Sequence, residues 1–193
     1  MKRRSLVLTV PLLLLSACGY NTIQSLDERA KSAQQQIAVQ LQRRADLVPN
    51  LVSTVKGFAA QEAEVFETVA KARGGLLGAV ASGNVGEMAN ANQQLTGALG
   101  RLLAISEAYP TLKSDQNFLR LQDELTGTEN RISQARQDYN QAVQDYNAYI
   151  RRFPQVLTAK VTGAKPREYF DVANASTREA PKVDFGKPPA KTP

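Results

Sequence analysis

Apolar side chains recur every three or four residues along most of the chain, which is the spacing of one face of an α-helix. Three such stripes follow one another, and no stretch shows the alternation typical of a strand. The pattern predicts an all-α fold, an antiparallel bundle of three long helices. The stripes consist of Ile37, Leu41, Val48, Leu51, Val52, Val55, Phe58, Phe66 and Val69, then Met88, Ala91, Leu95, Leu99, Leu102 and Ser106, then Phe118, Leu121, Leu125, Ile132, Ala135, Tyr139, Val143, Tyr146 and Ile150.

Local signals set the ends of the three helices. A capping box at 25–28 begins the first helix, and Gly74-Gly75 ends it because glycine adopts the left-handed cap conformation without a Cβ clash. Asn84 caps the second helix, which stops at Tyr109-Pro110. Ser114 caps the third, which runs to about Phe153.

Pro49 interrupts the first stripe. An interior proline removes a backbone hydrogen bond and clashes with the preceding turn, so it kinks or breaks a helix. Because the stripe keeps its phase across Pro49, we favour one long helix with a kink. The alternative is two helices, the second capped by Asp46 with Pro49 in its first turn, which would give four helices in all.

The first 17 residues have the character of a secretory signal. Three basic residues precede the apolar run Leu6–Leu15, and Leu-Ser-Ala-Cys ends at the only cysteine of the chain, Cys18. This ending resembles a bacterial lipobox, in which the cysteine sulfur is acylated and the signal is cut before it. The run is far shorter than the roughly 20 apolar residues that a membrane span needs. We therefore expect lipidation of Cys18 and attachment to a membrane through acyl chains.

Charge is unevenly distributed along the chain. The formal net charge is +6, of which half lies in the signal and half in the tail from Lys160 to Pro193, while residues 19–159 are neutral. A neutral body argues against binding to nucleic acid, which requires a basic face. The tail is rich in proline, lysine and glycine and is predicted to be irregular and partly disordered. Its apolar pairs Tyr169-Phe170 and Val183–Phe185 are expected to dock onto the bundle.

These features divide the chain into four segments. Residues 1–17 are the predicted lipoprotein signal peptide, 18–24 the lipidated N-terminus and tether, 25–159 the helical bundle, and 160–193 the irregular basic tail.

The residue types give little support to catalysis. The chain has no histidine, so neither a Ser-His pair nor a histidine metal site can form. Asp123, Glu124 and Glu129 are close in sequence, but such helical clusters are usually solvated faces. We expect no catalytic, cofactor-binding or metal-binding residues.

A set of polar residues along the first and third helices invites two interpretations. It is either a recognition patch or a layer of interhelical hydrogen bonds and ion pairs that sets helix register, and we favour the second. Two Tyr-Asn pairs seven residues apart, at 139–140 and 146–147, are interpreted in the same way, with rings in the seam and polar atoms bonding across it. The polar set consists of Arg43, Arg44, Asp46, Asn50, Glu129, Asn130 and Arg136.

Several long runs in the right order resemble the LemA family of bacterial envelope proteins across nearly the whole chain after the signal. They are residues 40–52, Glu107–Pro110 with Leu112-Lys113, 117–125, 128–132, Ala135-Arg136, the Tyr-Asn pairs and Phe153-Pro154. The resemblance implies a helical bundle held at the membrane through its N-terminus, in relatives usually by an uncleaved helix. A lipobox stands here instead, and Gln35 lies near where many relatives have tryptophan. The resemblance supplies no molecular activity.

The expected function is that of a lipid-anchored, non-catalytic interaction or scaffold protein of the cell envelope, with another envelope protein as its partner. Gly19 after the cysteine is compatible with transport to the periplasmic side of an outer membrane, in a cell that has one. The alternatives are an envelope enzyme acting on cell-wall polymer and a binder of lipid or another apolar ligand. Three antiparallel helices would put the Tyr109–Ser114 turn near the anchor and the end of the third helix, with Arg151, far from it.

Overall fold

The computed structural model of the chain describes residues 2–171, with side chains from Gly19 onward. Within this range the secondary structure is helical without strands, and the predicted all-α bundle is confirmed. The signal residues and Cys18 lie outside the described side chains, and Val183–Phe185 lies outside the described residues. The helices are α1 (Lys2–Lys56), α2 (Ala63–Ser82), α3 (Val85–Ala108), α4 (Pro110–Lys113), α5 (Gln116–Tyr149) and α6 (Gln155–Thr162).

Helix α1 passes through Pro49 without a break, as the phase of its stripe predicts. It ends instead at Lys56, where the amide of Gly57 bonds the carbonyl oxygens of Ser53 and Thr54 and the chain turns. The turn spans residues 57–62, and Lys56 Nζ lies 5.2 Å from the centre of the Phe66 ring across it. The first predicted helix is therefore two helices, but the division lies after Pro49 and not at it.

The helix end predicted at Gly74-Gly75 is wrong, because both glycines lie inside α2. The left-handed cap is Gly83, with φ 69° and its amide bonded to Val80 O. Both interior glycines are exposed, and each weakens a helix by about 1 kcal/mol relative to alanine. Helix α2 persists because residues on its other face are buried in the core, namely Phe66, Val69, Leu76 and Ala79.

The boundaries of the later helices follow the sequence closely. Asn84 caps α3 by accepting the Glu87 amide at 2.9 Å, and the six residues of the second predicted stripe are all buried. The cap of α5 is Asp115, one residue beyond the predicted Ser114, and it accepts the Phe118 amide at 2.9 Å. A single turn, α4, fills the connection after Tyr109.

Helices α1 and α5 run antiparallel and form the long axis of the molecule. The pairs Arg29–Asp145 and Arg44–Glu129 join them at two levels. Their buried seam follows a seven-residue repeat, the period of a coiled coil. The repeat consists of Ile23, Ala30, Ile37, Arg44 and Leu51 on α1 and of Phe118, Leu125, Ile132, Tyr139 and Tyr146 on α5.

The α2–α3 hairpin covers only part of this pair. Gln34 Nε2 donates to Gly83 O at 2.7 Å, which places the tip of the hairpin beside the middle of α1. The other half of α1 is covered by α6 and by the segment 163–171, which we call the strap. Helix α6 was not predicted. Phe170 of the strap is 2% exposed, so its predicted docking is confirmed, whereas Tyr169 stays half exposed.

The two ends of the bundle differ from the expected arrangement. Because the chain reverses once more at 57–62, α5 returns to the start of α1, where Ile23 packs with Tyr146 and Ile150. The Tyr109–Ser114 turn lies at the opposite end, where the Tyr109 hydroxyl accepts a hydrogen bond from Gln61. Residues 19–24 are helical, so Ser25 does not begin a helix and the capping-box prediction is wrong.

Candidate functional site: a buried arginine and a docked strap

Arg44 occupies a seam position of α1 that an apolar residue would normally fill. Its side chain is 6% exposed. Removing a guanidinium from water is unfavourable by several kcal/mol unless other groups pair with it. A polar residue at such a seam position lowers the stability of a coiled coil but fixes the register of its helices.

Two other helices supply the partners of Arg44. Nη1 donates to Asn92 Oδ1 of α3 at 2.6 Å and lies 2.5 Å from Glu129 Oε2 of α5. Burial lowers the pKa of Arg44, and the Glu129 carboxylate opposes that shift. An arginine starts from so high a pKa that it stays charged at neutral pH. The three residues tie α1, α3 and α5 together at one level.

The other members of the predicted polar set are not gathered around Arg44. Arg43, Asp46, Asn50 and Asn130 are exposed, and Asp46 accepts a hydrogen bond from Gln42 at 3.0 Å. Arg136 lies elsewhere, with its guanidinium carbon 5.1 Å from the centre of the Phe170 ring. The recognition hypothesis stays a prediction, and it concerns the four exposed residues.

The asparagines of the two Tyr-Asn pairs hold the strap. The Asn147 side chain accepts the Arg167 amide at 2.8 Å and donates to the Arg167 carbonyl at 2.9 Å. Asn140 does the same with Phe170, at 2.8 and 3.2 Å. Between them the Tyr139 hydroxyl donates to Glu168 O at 2.8 Å. Each asparagine side chain thus bonds both the backbone N–H and the backbone C=O of one strap residue, as a residue of a neighbouring strand would do.

An ion pair fixes the strap to α1 as well. Arg167 Nε donates to Asp27 Oδ1 at 2.8 Å, and both side chains are about a quarter exposed. The hydrogen bond lowers the pKa of Asp27 and raises that of Arg167. Burial raises the pKa of Tyr139 and of Tyr146. The start of α1, the end of α5 and the strap therefore form one connected unit.

A sequence model of the LemA family matches residues 33–185. This chain belongs to the LemA family. The matched range contains Arg44, Asn92, Glu129 and both strap-binding asparagines, and it confirms the resemblance found in the sequence.

The LemA-family chain is similar to three magnetosome proteins. It is 32% identical to magnetosome protein MamQ of Magnetospirillum gryphiswaldense over 189 residues, covering 86% of this chain and 68% of MamQ. It is 31% identical to MamQ 2 and to MamQ 1 of Paramagnetospirillum magneticum over 174 residues, covering 78% of this chain and 64% of each relative. The chain thus spans about two thirds of the length of these relatives.

Two residues of the LemA-family site escaped the sequence analysis. Asn92 lies between Met88 and Leu95 in the apolar stripe of α3. A polar residue on an apolar face is the sequence feature that could have indicated its burial. Arg73 is half-buried and donates from Nε to Ala45 O at 2.8 Å. Nothing in the sequence around Arg73 distinguishes it from an exposed helical arginine.

The described surface of the LemA-family chain carries a cleft of about 600 Å³ between α1 and α5. Its charged and amide lining consists of Arg29, Gln36, Gln40, Arg131, Gln134, Asp138 and Gln141. Within residues 2–171, no group of three or more histidine, cysteine, aspartate or glutamate residues is placed to hold a metal ion. In the same part of the chain, no helix combines the length and apolar character needed to cross a bilayer.

Proposed function

We propose that this LemA-family protein is a membrane-associated envelope adaptor, held by acyl chains on Cys18 and presenting its far end to a protein partner. The observation that carries the proposal is the unbroken α1. From Gly19 to Lys56 it rises about 55 Å, at about 1.5 Å per residue. A rod of that length moves a binding surface away from the lipid while its other end stays anchored.

The attachment rests on the lipobox and on the fold that follows it. Helical structure continues directly from Gly19, so the bundle begins one residue after the acylated cysteine with no flexible tether between them. Family membership and the MamQ relatives support a membrane-associated role. With Gly19 following Cys18, the proposed location is the periplasmic side of the outer membrane, in a cell that has one.

The far end of the rod carries the surface offered to the partner. The turns at 57–62 and 109–115 meet there through Gln61 and Tyr109. Phe58, in the 57–62 turn, is 38% exposed, and Leu119, near the beginning of α5, is 44% exposed. Aromatic residues are enriched in protein interfaces, so Phe58 is the stronger anchor of the two, with Leu119 adding apolar contact area beside it.

A non-catalytic role agrees with how the charged groups are used. Arg44 pairs with Glu129 between two helices, Asp27 of α1 pairs with Arg167 of the strap, and Arg136 stacks on Phe170. The cleft between α1 and α5 carries amide and charged side chains that can hydrogen-bond the hydroxyl groups of a sugar polymer. Cell-wall polymer is therefore the alternative ligand that the experiment must distinguish.

The anchor is tested by mass spectrometry of the mature N-terminus. We expect the mature parent protein to begin at Cys18 and to carry acyl groups on it. The Cys18→Ser variant should keep its signal and carry no lipid. An unmodified Cys18, or cleavage at another position, would contradict the anchor.

The adaptor role is tested by photo-crosslinking in intact cells. A benzophenone amino acid replaces Phe58 or Leu119 at the far end, and Val39, which is 58% exposed on the middle of α1, serves as the control position. We expect both far-end positions to capture the same protein and position 39 not to. Polysaccharide adducts would support the enzyme alternative, and an absence of adducts at positions 58 and 119 would defeat the proposal.

A further inference from the structure

Helix α6 and the residue two before it expose an apolar row. Phe153, Leu157 and Val161 are spaced four residues apart and are 81%, 56% and 88% exposed. Four-residue spacing places Leu157 and Val161 on one side of α6, and Phe153 lies in the turn that leads into this helix. Elsewhere in the described residues, exposed large apolar side chains are isolated along the chain, with Tyr20 and Val39 far apart on α1, whereas these three are close in sequence.

The opposite side of α6 packs on the beginning of α1. Thr158 and Ala159 are buried, and Gly19 approaches the helix so closely that a Cβ there would lie 3.3 Å from Gln155 Cγ. Gly19 directly follows Cys18 and the apolar run Leu6–Leu15. The apolar row of α6 is therefore at the end of the molecule that lies next to Cys18, the proposed site of acylation.

The charges around the row have one sign. All charged side chains between residues 151 and 165 are basic and exposed, namely Arg151, Arg152, Lys160 and Lys165. Lys160 lies three residues after Leu157, on the same side of the helix. An apolar row flanked by bases is complementary to an anionic lipid surface, where basic residues contact headgroups and apolar residues reach the acyl boundary.

We propose that α6 is an interfacial helix, lying in the headgroup layer of an anionic bilayer with Phe153, Leu157 and Val161 inserted. The contact is a second attachment to the membrane besides the N-terminus. Two attachments on one rigid end hold the α1–α5 rod at a fixed angle to the membrane, which an anchor of one residue cannot do. This inference concerns the near end and does not require the far end to bind a partner.

The test measures the depth of single positions in vesicles. Leu157→Cys and, as matched control, Val39→Cys full-length chains are labelled with an environment-sensitive nitrobenzoxadiazole dye, with background labelling of Cys18 measured on the parent chain. The vesicles contain phosphatidylglycerol and phosphatidylethanolamine, with or without nitroxide-labelled lipid. We expect blue-shifted emission and several-fold stronger nitroxide quenching at position 157 than at position 39.

Charge reversal provides the second variant. The double variant Arg152→Glu and Lys160→Glu keeps the apolar row and weakens the attraction to anionic lipid. Each basic residue near such a surface raises the binding constant about fivefold. We expect lower quenching at position 157 in this background, and far-UV circular dichroism that matches the parent. Solvent-like emission at position 157 would overturn the proposal. A blue shift without nitroxide quenching would also overturn it, because the row would then be covered by protein.

Discussion

Arg73 donates a hydrogen bond from Nε to the carbonyl oxygen of Ala45 at 2.8 Å, and Ala45 is the residue four before Pro49. In a regular helix the amide of residue 49 would bond that carbonyl, but proline has no amide hydrogen. A side chain of α2 thus supplies the donor that Pro49 lacks. This replacement explains how α1 continues past an interior proline.

The first prediction follows from that replacement. We expect Arg73→Ala to lower the free energy of unfolding by about 1.5–3 kcal/mol, the range for a hydrogen bond that involves a charged group. In a Pro49→Ala background the restored amide bonds Ala45, so the loss on Arg73→Ala shrinks. The measurement is a double-mutant cycle by urea unfolding, with the exposed Lys71→Ala as control.

Pro49→Ala alone should keep the fold and raise helix content slightly, because alanine favours helix and gains a bond. Equal losses on Arg73→Ala in both backgrounds would show that the two residues are not coupled.

The same region shows what sequence can and cannot predict about this fold. The stripe predicts that α1 continues through Pro49, and it does. The apolar stripe also continues across the six-residue turn at 57–62, because Phe66 and Val69 follow with helical spacing. The periodicity of the sequence therefore gives no sign that α1 ends at Lys56. Gly57, Gly74, Gly75 and Gly83 carry similar local signals. Which of them ends a helix is decided by which neighbours become buried, and that depends on tertiary packing.

The polar set illustrates the same limit for the site. Seven residues at helical spacing were candidates, and the buried network contains only Arg44 and Glu129 of them. The sequence pattern gives the face of a helix but not the rotation of its neighbours. It therefore cannot choose between Arg43 and Arg44, which are adjacent in sequence and opposite in burial.

That contrast gives the second prediction. Glu129→Gln removes the carboxylate and leaves Arg44 charged and buried, so we expect a loss of about 1–3 kcal/mol in the free energy of unfolding. Arg44→Met fits the apolar seam, and replacing a buried ion pair by apolar residues is often neutral or stabilising. The double variant should therefore be more stable than Glu129→Gln alone.

Chemical denaturation checks this ordering, and Arg43→Met is the matched control, expected to change stability by less than about 0.5 kcal/mol. If the double variant were less stable than Glu129→Gln, the buried hydrogen bond from Arg44 to Asn92 would contribute more stability than the burial of the Arg44 charge costs.

The third prediction concerns the strap. Asn147→Ala removes both side-chain bonds to Arg167, and no neighbouring backbone replaces them. We expect the Arg167 amide to lose protection from hydrogen exchange while the centre of α5 keeps its own. Asn147→Asp should give an intermediate result, because it keeps the acceptor and loses the donor.

Hydrogen exchange followed by mass spectrometry measures both regions in one experiment. The exposed Asn130→Ala is the control on the same helix and should change neither region. Unchanged protection at Arg167 in Asn147→Ala would mean that the other strap contacts, with Asn140, Tyr139 and Asp27, hold the strap without Asn147.

The fourth prediction is a pH dependence from the pair that joins the strap to α1. The hydrogen bond from Arg167 lowers the pKa of Asp27 below its ordinary value of 3.8. A carboxyl with a lowered pKa in the folded state binds fewer protons folded than unfolded. Its stabilisation is therefore complete above the ordinary value and is lost as pH falls through the folded value.

Asp27→Asn should accordingly lower stability at neutral pH and flatten the decline in stability below about pH 4, the range set by an ordinary aspartate pKa. Thermal unfolding of the parent and of Asp27→Asn across the acid range measures the difference between the two curves. Asp123→Asn, an exposed residue of α5, is the control and should run parallel to the parent.

Because Arg167 lies in the strap, the parent should also release the strap from α1 on acidification, which hydrogen exchange at Arg167 would detect. If Asp27→Asn and the parent declined in parallel, the Asp27–Arg167 bond would contribute no net stability, and the asparagines of α5 would hold the strap without it.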